Sequence, residues 1–263
     1  MSILHPPILT QATDGQLEQA AANNHTQLFF RNAILRGGEV RETKGLSHTY
    51  DGRDFQSMIA FPQLDESAAD EQLDEMMAWY QGRPVKGLGC WSLAPSQPAN
   101  LGEKLLARGF QDGWRPCWMA MSLLETDIEQ RIPPSLQIVQ DNYLSLHHLK
   151  EIPYTGDEGA VSPALMKGHP EQARQFIGLW DGKIVGHTSL FLTTGEFGVA
   201  GLYDVAVAPW ARKRGVGKAL VSAACLYAKR SGYHYAVLNA TGRRMYEQTG
   251  FRHIGDGFTW WRF

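Results

Sequence analysis

Apolar positions along this chain recur with two periods, and the switch between them is sharpest between Gly201 and Phe251. Leu202 to Val207 is a short, largely apolar run of strand character, ended by Pro209, which has no backbone N–H to give a ladder. From Val216 the period lengthens: Val216, Ala219, Leu220, Ala223, Ala224, Tyr227 and Ala228 fall at steps of three and four and share one helical face. Gly232 closes that helix, as glycine commonly does just past a C-terminus. Tyr233 to Asn239 then reads as a second strand and Arg243 to Gln248 as a short helix.

The rest of the pattern fills in around this strand–helix–strand unit. Asp14 is placed to cap a helix through Asn23, with a second helical stretch from Thr26 to about Leu35 that Gly37-Gly38 breaks. Glu39 to Phe61 reads as short strands punctuated by Gly45 and by Asp51-Gly52, a hairpin signal. Leu73, Met76, Met77 and Tyr80 predict an amphipathic helix within Asp65 to Gln81. A strand from Val85 to Leu93, a helix from about Ala99 to Arg108 and a strand from Trp114 to Leu124 complete the first half. Glu125 to Pro134 is polar, lacks an apolar period and ends in Pro133-Pro134, which marks it as a linker. Beyond it, Leu136 to Val139 is a strand, and Asp141 caps a helix carrying Leu144, His147, His148 and Ile152. Pro153 to Pro170 reads as irregular. Arg174 to Trp180 and Lys183 to Leu192 are strands joined by Asp181-Gly182, a two-residue hairpin turn, and Thr193 to Gly198 leads back to the strand at Leu202. The predicted class is α/β, a mixed sheet with helices on its faces.

Composition narrows the function classes. With 43% hydrophobic and 20% charged residues, the 263-residue chain can bury a core and is long enough for two ordinary domains. A formal charge of −2 gives no electrostatic case for nucleic acid or an anionic membrane as partner. Cys90, Cys117 and Cys225 are odd in number, widely spaced and free of any CxxC pair, which argues against a disulfide scaffold or a zinc site. His147 and His148 are adjacent on one helix, face different directions and make no metal pair, so no metal is expected. The opening MSILHPPILTQATDGQ lacks the basic start and apolar core of a signal peptide. No run reaches the ~20 apolar residues of a spanning helix, and the expected location is the cytoplasm.

Candidate chemistry lies in the turn before the helical face. The first N–H groups of a helix have no intrahelical partner, and the macrodipole makes that end positive. Gly215 and Gly217 carry no side chain, so an anion can meet the backbone around Val216 and Lys218, while Arg212, Lys213 and Arg214 add charge. The sum is a phosphate cradle. Arg212 stands where a Walker A loop needs its first glycine, Ala219 where it needs Ser or Thr, and Leu220 where a dinucleotide fingerprint needs its third glycine. Both nucleotide motifs fail. The order strand, Val207-Ala208-Pro209, Arg212-x-x-Gly215-x-Gly217, helix, strand, short helix, Tyr246-Glu247-Gln248-Thr249-Gly250-Phe251 instead resembles the GNAT acetyltransferases.

That resemblance implies a GNAT fold over residues 135–263, with the Arg-x-x-Gly-x-Gly turn around the pyrophosphate of acetyl-CoA and acetyl transfer to an amine. It implies that the backbone of Val205-Ala206-Val207 polarises the thioester carbonyl, and that this strand splays from the next to admit the pantetheine arm. Tyr246 stands where the family places a tyrosine that protonates or hydrogen-bonds the sulfur, and Asn239, seven residues earlier, where an Asn lies near the cofactor. Ala240-Thr241-Gly242-Arg243 departs from the usual helix-starting run between them. The segment from Pro153 to Pro170 corresponds to the family's acceptor-shaping region. The general base stays open among Asp204, which alternation puts on the face opposite Val205 and Val207, His169, Glu171 and ordered water. Phe258, Trp260, Trp261 and Phe263 either line an acceptor site or form a core-facing strand.

The first half repeats the tail of the second: Leu105-Leu106-Ala107-Arg108-Gly109-Phe110 lines up with Tyr246–Phe251, each followed by a Trp-rich strand, and Leu105 replaces the tyrosine. No Arg-x-x-Gly-x-Gly occurs there. Residues 1–124 therefore read as a degenerate GNAT-like domain, 125–134 as a linker and 135–263 as the acetyl-CoA-binding domain of a tandem protein. A small-molecule amine is the expected acceptor, with its identity and the oligomeric state open. A non-catalytic acyl-CoA-binding or interaction module of the same fold is the alternative.

Overall fold

The computed structural model describes residues 8–128, 132–141 and 149–263. These form two compact units, one of residues 118–254 with the chain up to Asn24, the other of His25–Cys117 with Gly255–Phe263. In chain order, α1 (Asp14–Leu35) leads to β1 (Glu39–Thr43), β2 (Leu46–Tyr50), β3 (Gln56–Ala60), α2 (Ala69–Tyr80), β4 (Gly87–Leu93), α3 (Leu101–Leu106), β5 (Gln111–Asp112) and β6 (Cys117–Ser122). Then follow β7 (Leu136–Asp141), α4 (Pro163–Gly168), β8 (Ala173–Trp180), β9 (Lys183–Leu192) and β10 (Ala200–Val207). The chain ends with α5 (Val216–Arg230), β11 (Tyr235–Ala240), α6 (Arg243–Glu247) and β12 (Arg252–Arg262). No helix among the described residues is long and apolar enough to cross a membrane.

In the first of these units the strand order is β6-β11-β10-β9-β8-β7. Strands β7 to β10 pair antiparallel in sequence, and β10 joins β11 in parallel through α5. Asp181 and Gly182 both take positive φ, +49° and +77°, the backbone of the type I′ turn that the Asp-Gly pair predicted. Helix α5 buries Val216, Ala219, Leu220, Ala224 and Ala228 as the spacing predicted, and Leu220 reaches the bare backbone of Gly186 in β9. The expected helix through Leu144, His147 and His148 lies outside the described residues. The Pro153–Pro170 stretch is more ordered than predicted: Ser162 accepts the Leu165 N–H at 3.2 Å and Pro163 opens α4, a Ser-Pro start signal the sequence reading passed over.

In the other unit β1, β2 and β3 run antiparallel, β3 joins β4 in parallel through α2, and β4 pairs with β12. Its core gathers Leu73, Met76 and Tyr80 of α2, Leu101 and Leu105 of α3, Phe110 and Trp260. Of the terminal aromatic residues, Trp260 is therefore core-forming, whereas Phe263 is 84% exposed. The repeat seen in the sequence holds in the backbone. Phe110 N–H donates to Leu105 O at 3.2 Å and Phe251 N–H to Tyr246 O at 3.0 Å, the same closure of a short helix.

Two expectations differ from the structure. The helix predicted to stop near Asn23 is a single helix of 22 residues, and its cap is Thr13 rather than Asp14. Thr13 N–H donates to Gln16 Oε1 at 2.9 Å while Gln16 N–H donates to Thr13 Oγ1 at 3.3 Å, a reciprocal capping box. A polar residue between the two predicted stretches is held by tertiary contacts. Asn24, fully buried, donates to Phe191 O at 3.2 Å and Thr193 Oγ1 at 3.1 Å, and accepts the Tyr203 hydroxyl. The second difference concerns boundaries. Residues 118–124 belong with the second-half strands and 255–263 with the first-half strands, although composition divides the chain at 125–134. Strand partnership is a long-range property that leaves no mark in composition. Replacing Asn24 by Ala removes the acceptor of the Tyr203 hydroxyl and one of the partners of Thr193 Oγ1, which keeps Val199, and thermal unfolding should show a loss of about 2–3 kcal/mol; an unchanged Tm would mean the network is incidental.

Candidate active site

The site starts where β10 leaves its neighbours. Its parallel pairing with β11 is confined to Ala200–Ala236 and Gly201–Val237, although the strands continue to Val207 and Ala240. On its other edge β10 carries a bulge: the register with β9 shifts between Tyr203 and Ala206, and Asp204 takes φ +55°. A non-glycine residue in the left-handed region costs about 1 kcal/mol or more and is found where surroundings impose it. The bulge also interrupts the strict alternation on which the predicted face of Asp204 rested. Val205, Ala206 and Val207 thus sit just beyond a bulge and beside an unzipped edge.

From β10 the chain makes a tight 3-10 turn, Pro209–Ala211, and enters α5 through Lys213 at φ +61° and Gly215 at φ +84°. Gly215 occupies the cap position with no capping side chain. A β-carbon there would be strained and would stand 3.1 Å from Pro133 Cγ. The helix start at Val216, Gly217 and Lys218 is therefore left uncapped by side chains, the condition for anion binding. Arg212 Nε braces the turn by donating to Val207 O at 3.1 Å, and the Arg214 guanidinium lies over the Trp180 ring at 5.5 Å. Lys213 and Lys218 are exposed. A cavity of about 530 Å³ adjoins this start, lined by Gly215, Lys218 and Ser222, by Gln248–Gly250, and by Thr126–Ile128, Ile132 and Pro133. Residues 126–128, 132 and 133 of the predicted linker, read from sequence only as a spacer, thus line that cavity.

Tyr246 on α6 is buried, with its ring edge-on to Phe251 at 6.1 Å between centroids. Burial pushes its phenol up to about 12, with a further push from neighbouring Tyr154, so it keeps its proton at neutral pH. Asn239 is half-buried near the end of β11.

Of the three candidate bases, His169 and Glu171 pair with each other at 3.3 Å near the surface. Asp204 is engaged otherwise: its carboxylate accepts Ala160 N–H at 2.9 Å and Val161 N–H at 3.3 Å. Loss of solvent pushes its pKa up to about 6, opposed by those two N–H groups. His187, which the sequence reading missed, lies fully buried on β9. Its Nε2 is 2.9 Å from Pro153 O and its Nδ1 is 3.1 Å from Gln175 Nε2. The neutral Nε2–H tautomer satisfies both partners, donating to the carbonyl and accepting from the amide. Burial accordingly pushes its pKa down. The signal available in sequence was a histidine in the middle of a largely apolar strand, beside Thr188 and Ser189.

The first half carries the same strand–helix–strand connection without these features. Strands β3 and β4 are paired in parallel over five rungs, Gln56–Gly87 to Ala60–Trp91, so the edge is closed. The helix between them has no glycine at its cap, Ala68, and its first turn carries Asp70 and Glu71. Carboxylates there satisfy the helix dipole themselves and repel phosphate.

Residues 143–251 match the family model for the acetyltransferase (GNAT) family. The chain is 30% identical to glucosamine 6-phosphate N-acetyltransferase of Trypanosoma brucei brucei over 129 residues, 44% of this chain and 88% of that protein. In fold it is similar to a GCN5-related N-acetyltransferase from Kribbella flavida, with TM-score 0.67, 16% identity, and 91% and 94% of the two chains covered. It is also similar to a tandem GNAT protein from the clavulanic acid biosynthesis pathway, with TM-score 0.57, 11% identity, and 96% and 97% covered.

Two outcomes follow for calorimetry with coenzyme A. Gly215→Ala, strained by roughly 1–3 kcal/mol in this conformation, should weaken binding about tenfold or more, and Gly217→Glu should abolish it. Undiminished affinity in either variant would contradict the cradle. Wild-type protein should saturate at one ligand per chain, and a second equivalent would show that the closed first-half connection opens.

Proposed function

The chain belongs to the acetyltransferase (GNAT) family, and from that premise we propose that its second half moves the acetyl group of acetyl-CoA to a primary amine on a small molecule. The observation that carries this reading is the unzipped edge of β10 beside an uncapped helix start. Such a pair suits a ligand with a narrow arm and an anionic middle. In this reading the N–H groups of Gly215–Lys218 hold the diphosphate, helped by Arg212, Lys213 and Arg214. The neighbouring cavity takes the nucleotide end, and Val205–Val207 with Asn239 flank the arm. Acetyl-CoA, when bound, supplies a thioester acyl group.

The chain's own residues then meet the remaining demands. Backbone N–H groups beyond the bulge face a developing oxyanion without having to reorganise. Tyr246, protonated across the physiological range, holds a proton for the departing sulfur. A lysine-like amine with pKa ~10.4 must shed a proton before it attacks. A small acceptor accords with the Trypanosoma relative, whose name specifies an amino sugar phosphate. One observation favours a binding-only module instead: Asp204 is engaged by two backbone N–H groups, and His169 and Glu171 are paired with each other.

A thiol-release assay separates the readings, run with glucosamine 6-phosphate, an amino acid, spermidine and a peptide amino terminus as acceptors. Turnover with one of them supports the transferase, and cofactor binding without turnover across the panel supports the module. With an active acceptor, Tyr246→Phe should lower kcat roughly 10²-fold at unchanged cofactor affinity. Equal turnover would remove Tyr246 from the chemistry.

A further inference from the structure

Residues 153–161 are held by two side chains that come from different strands, the buried His187 and the half-buried Asp204. His187 on β9 fixes the first carbonyl, Pro153 O, at 2.9 Å, and is itself oriented by Gln175 on β8. Asp204, on the bulge of β10, takes the N–H groups of Ala160 at 2.9 Å and Val161 at 3.3 Å. Between these anchors the backbone is forced into a tight path. Tyr154 adopts φ +62°, and a β-carbon on Gly159 would stand 3.0 Å from Tyr154 O and 3.3 Å from Asp204 Oδ2. A side chain at residue 159 would press on the segment and on the carboxylate. Tyr154, directly after the first anchor, is 49% exposed.

We propose that Asp204 and His187 are positioning residues that hold residues 153–161 as a pre-set wall on the acceptor side and present the Tyr154 hydroxyl to the incoming amine, and that Asp204 is not the group that takes the amine's proton. This rests on the acetyl-transfer reading above. A carboxylate that accepts two successive backbone N–H groups, one on each oxygen, has its strongest acceptor directions committed to the loop. The strained Tyr154 persists because its flanks are over-determined, the usual setting for such outliers. A wall fixed before the acceptor arrives spares the ordering that a floppy segment would undergo on binding. The Tyr154 phenol is close enough to Tyr246 to push its pKa up, so on the acetyl-transfer reading it faces the residue assigned to the sulfur.

The test is hydrogen exchange resolved to single amides on the whole chain, with no cofactor or acceptor. In wild type the Ala160 and Val161 amides should be protected; unprotected amides would overturn the proposal without any variant. Asp204→Asn, which cannot accept through both atoms, should lose at least about tenfold of that protection. His187→Leu should loosen residues 153–156 in the same way, whereas His187→Gln, which keeps a donor, should retain them. Wild-type protection in both Asp204→Asn and His187→Leu would overturn the idea. In acetyl transfer to glucosamine 6-phosphate, Asp204→Asn should raise the acceptor KM about tenfold with kcat nearly unchanged. A collapse of kcat at constant KM would make Asp204 the proton acceptor and overturn the assignment. Failure of wild type to bind acetyl-CoA would fell the transferase reading on its own, while the exchange data would still decide the anchoring.

Discussion

A parallel strand pair joined by a helix ordinarily zips until one strand ends, and the chain contains one connection that does and one that does not. Strands β3 and β4 pair over five rungs, while β10 and β11 stop after two although both continue. The backbone groups freed by that early stop need other partners, and the polar ladder they would have made cannot be replaced by apolar packing. The bulge at Asp204 bends β10 at the same place, and the left-handed Gly215 opens α5 just past its end. Edge, bulge and uncapped helix start all come from one strand and the turn that follows it.

The two halves therefore share a plan and divide the work. Both close a short helix with the same backbone bond, at Phe110 and at Phe251. In the first half the plan is filled in with core: Leu105 stands where Tyr246 stands, and acidic residues begin the helix where glycine and cations do in the second. A closed edge and a carboxylate-rich helix start are the physical opposites of a phosphate cradle. On the proposed reading the first half offers no phosphate cradle, and acetyl transfer belongs to the second.

Much of this was legible in the sequence because local rules dictated it. Gly215 is required by a positive φ, Asp181-Gly182 by a type I′ turn, and the apolar faces of α2 and α5 by helical period. What escaped was set at long range. The bulge at Asp204 broke a period-2 argument; its partners Ala160 and Val161 lie more than forty residues away in sequence. The helix runs on through Asn24, whose partners Tyr203 and Thr193 lie far away in sequence. His187 and Gln175 form a buried polar pair across two strands, a contact that no local signal announces. The Thr13–Gln16 capping box, by contrast, was local and readable, and the more obvious Asp14 beside it drew the assignment.

The central claim is that backbone donors at the start of α5 grip the diphosphate of the acyl donor. Calorimetric titration of the intact chain with acetyl-CoA and, in parallel, with S-acetylpantetheine isolates that grip, because the second ligand keeps the thioester arm and lacks the diphosphate. The account predicts that acetyl-CoA binds at least about a hundredfold more tightly, a difference of roughly 3 kcal/mol. Equal affinity for the two would contradict it.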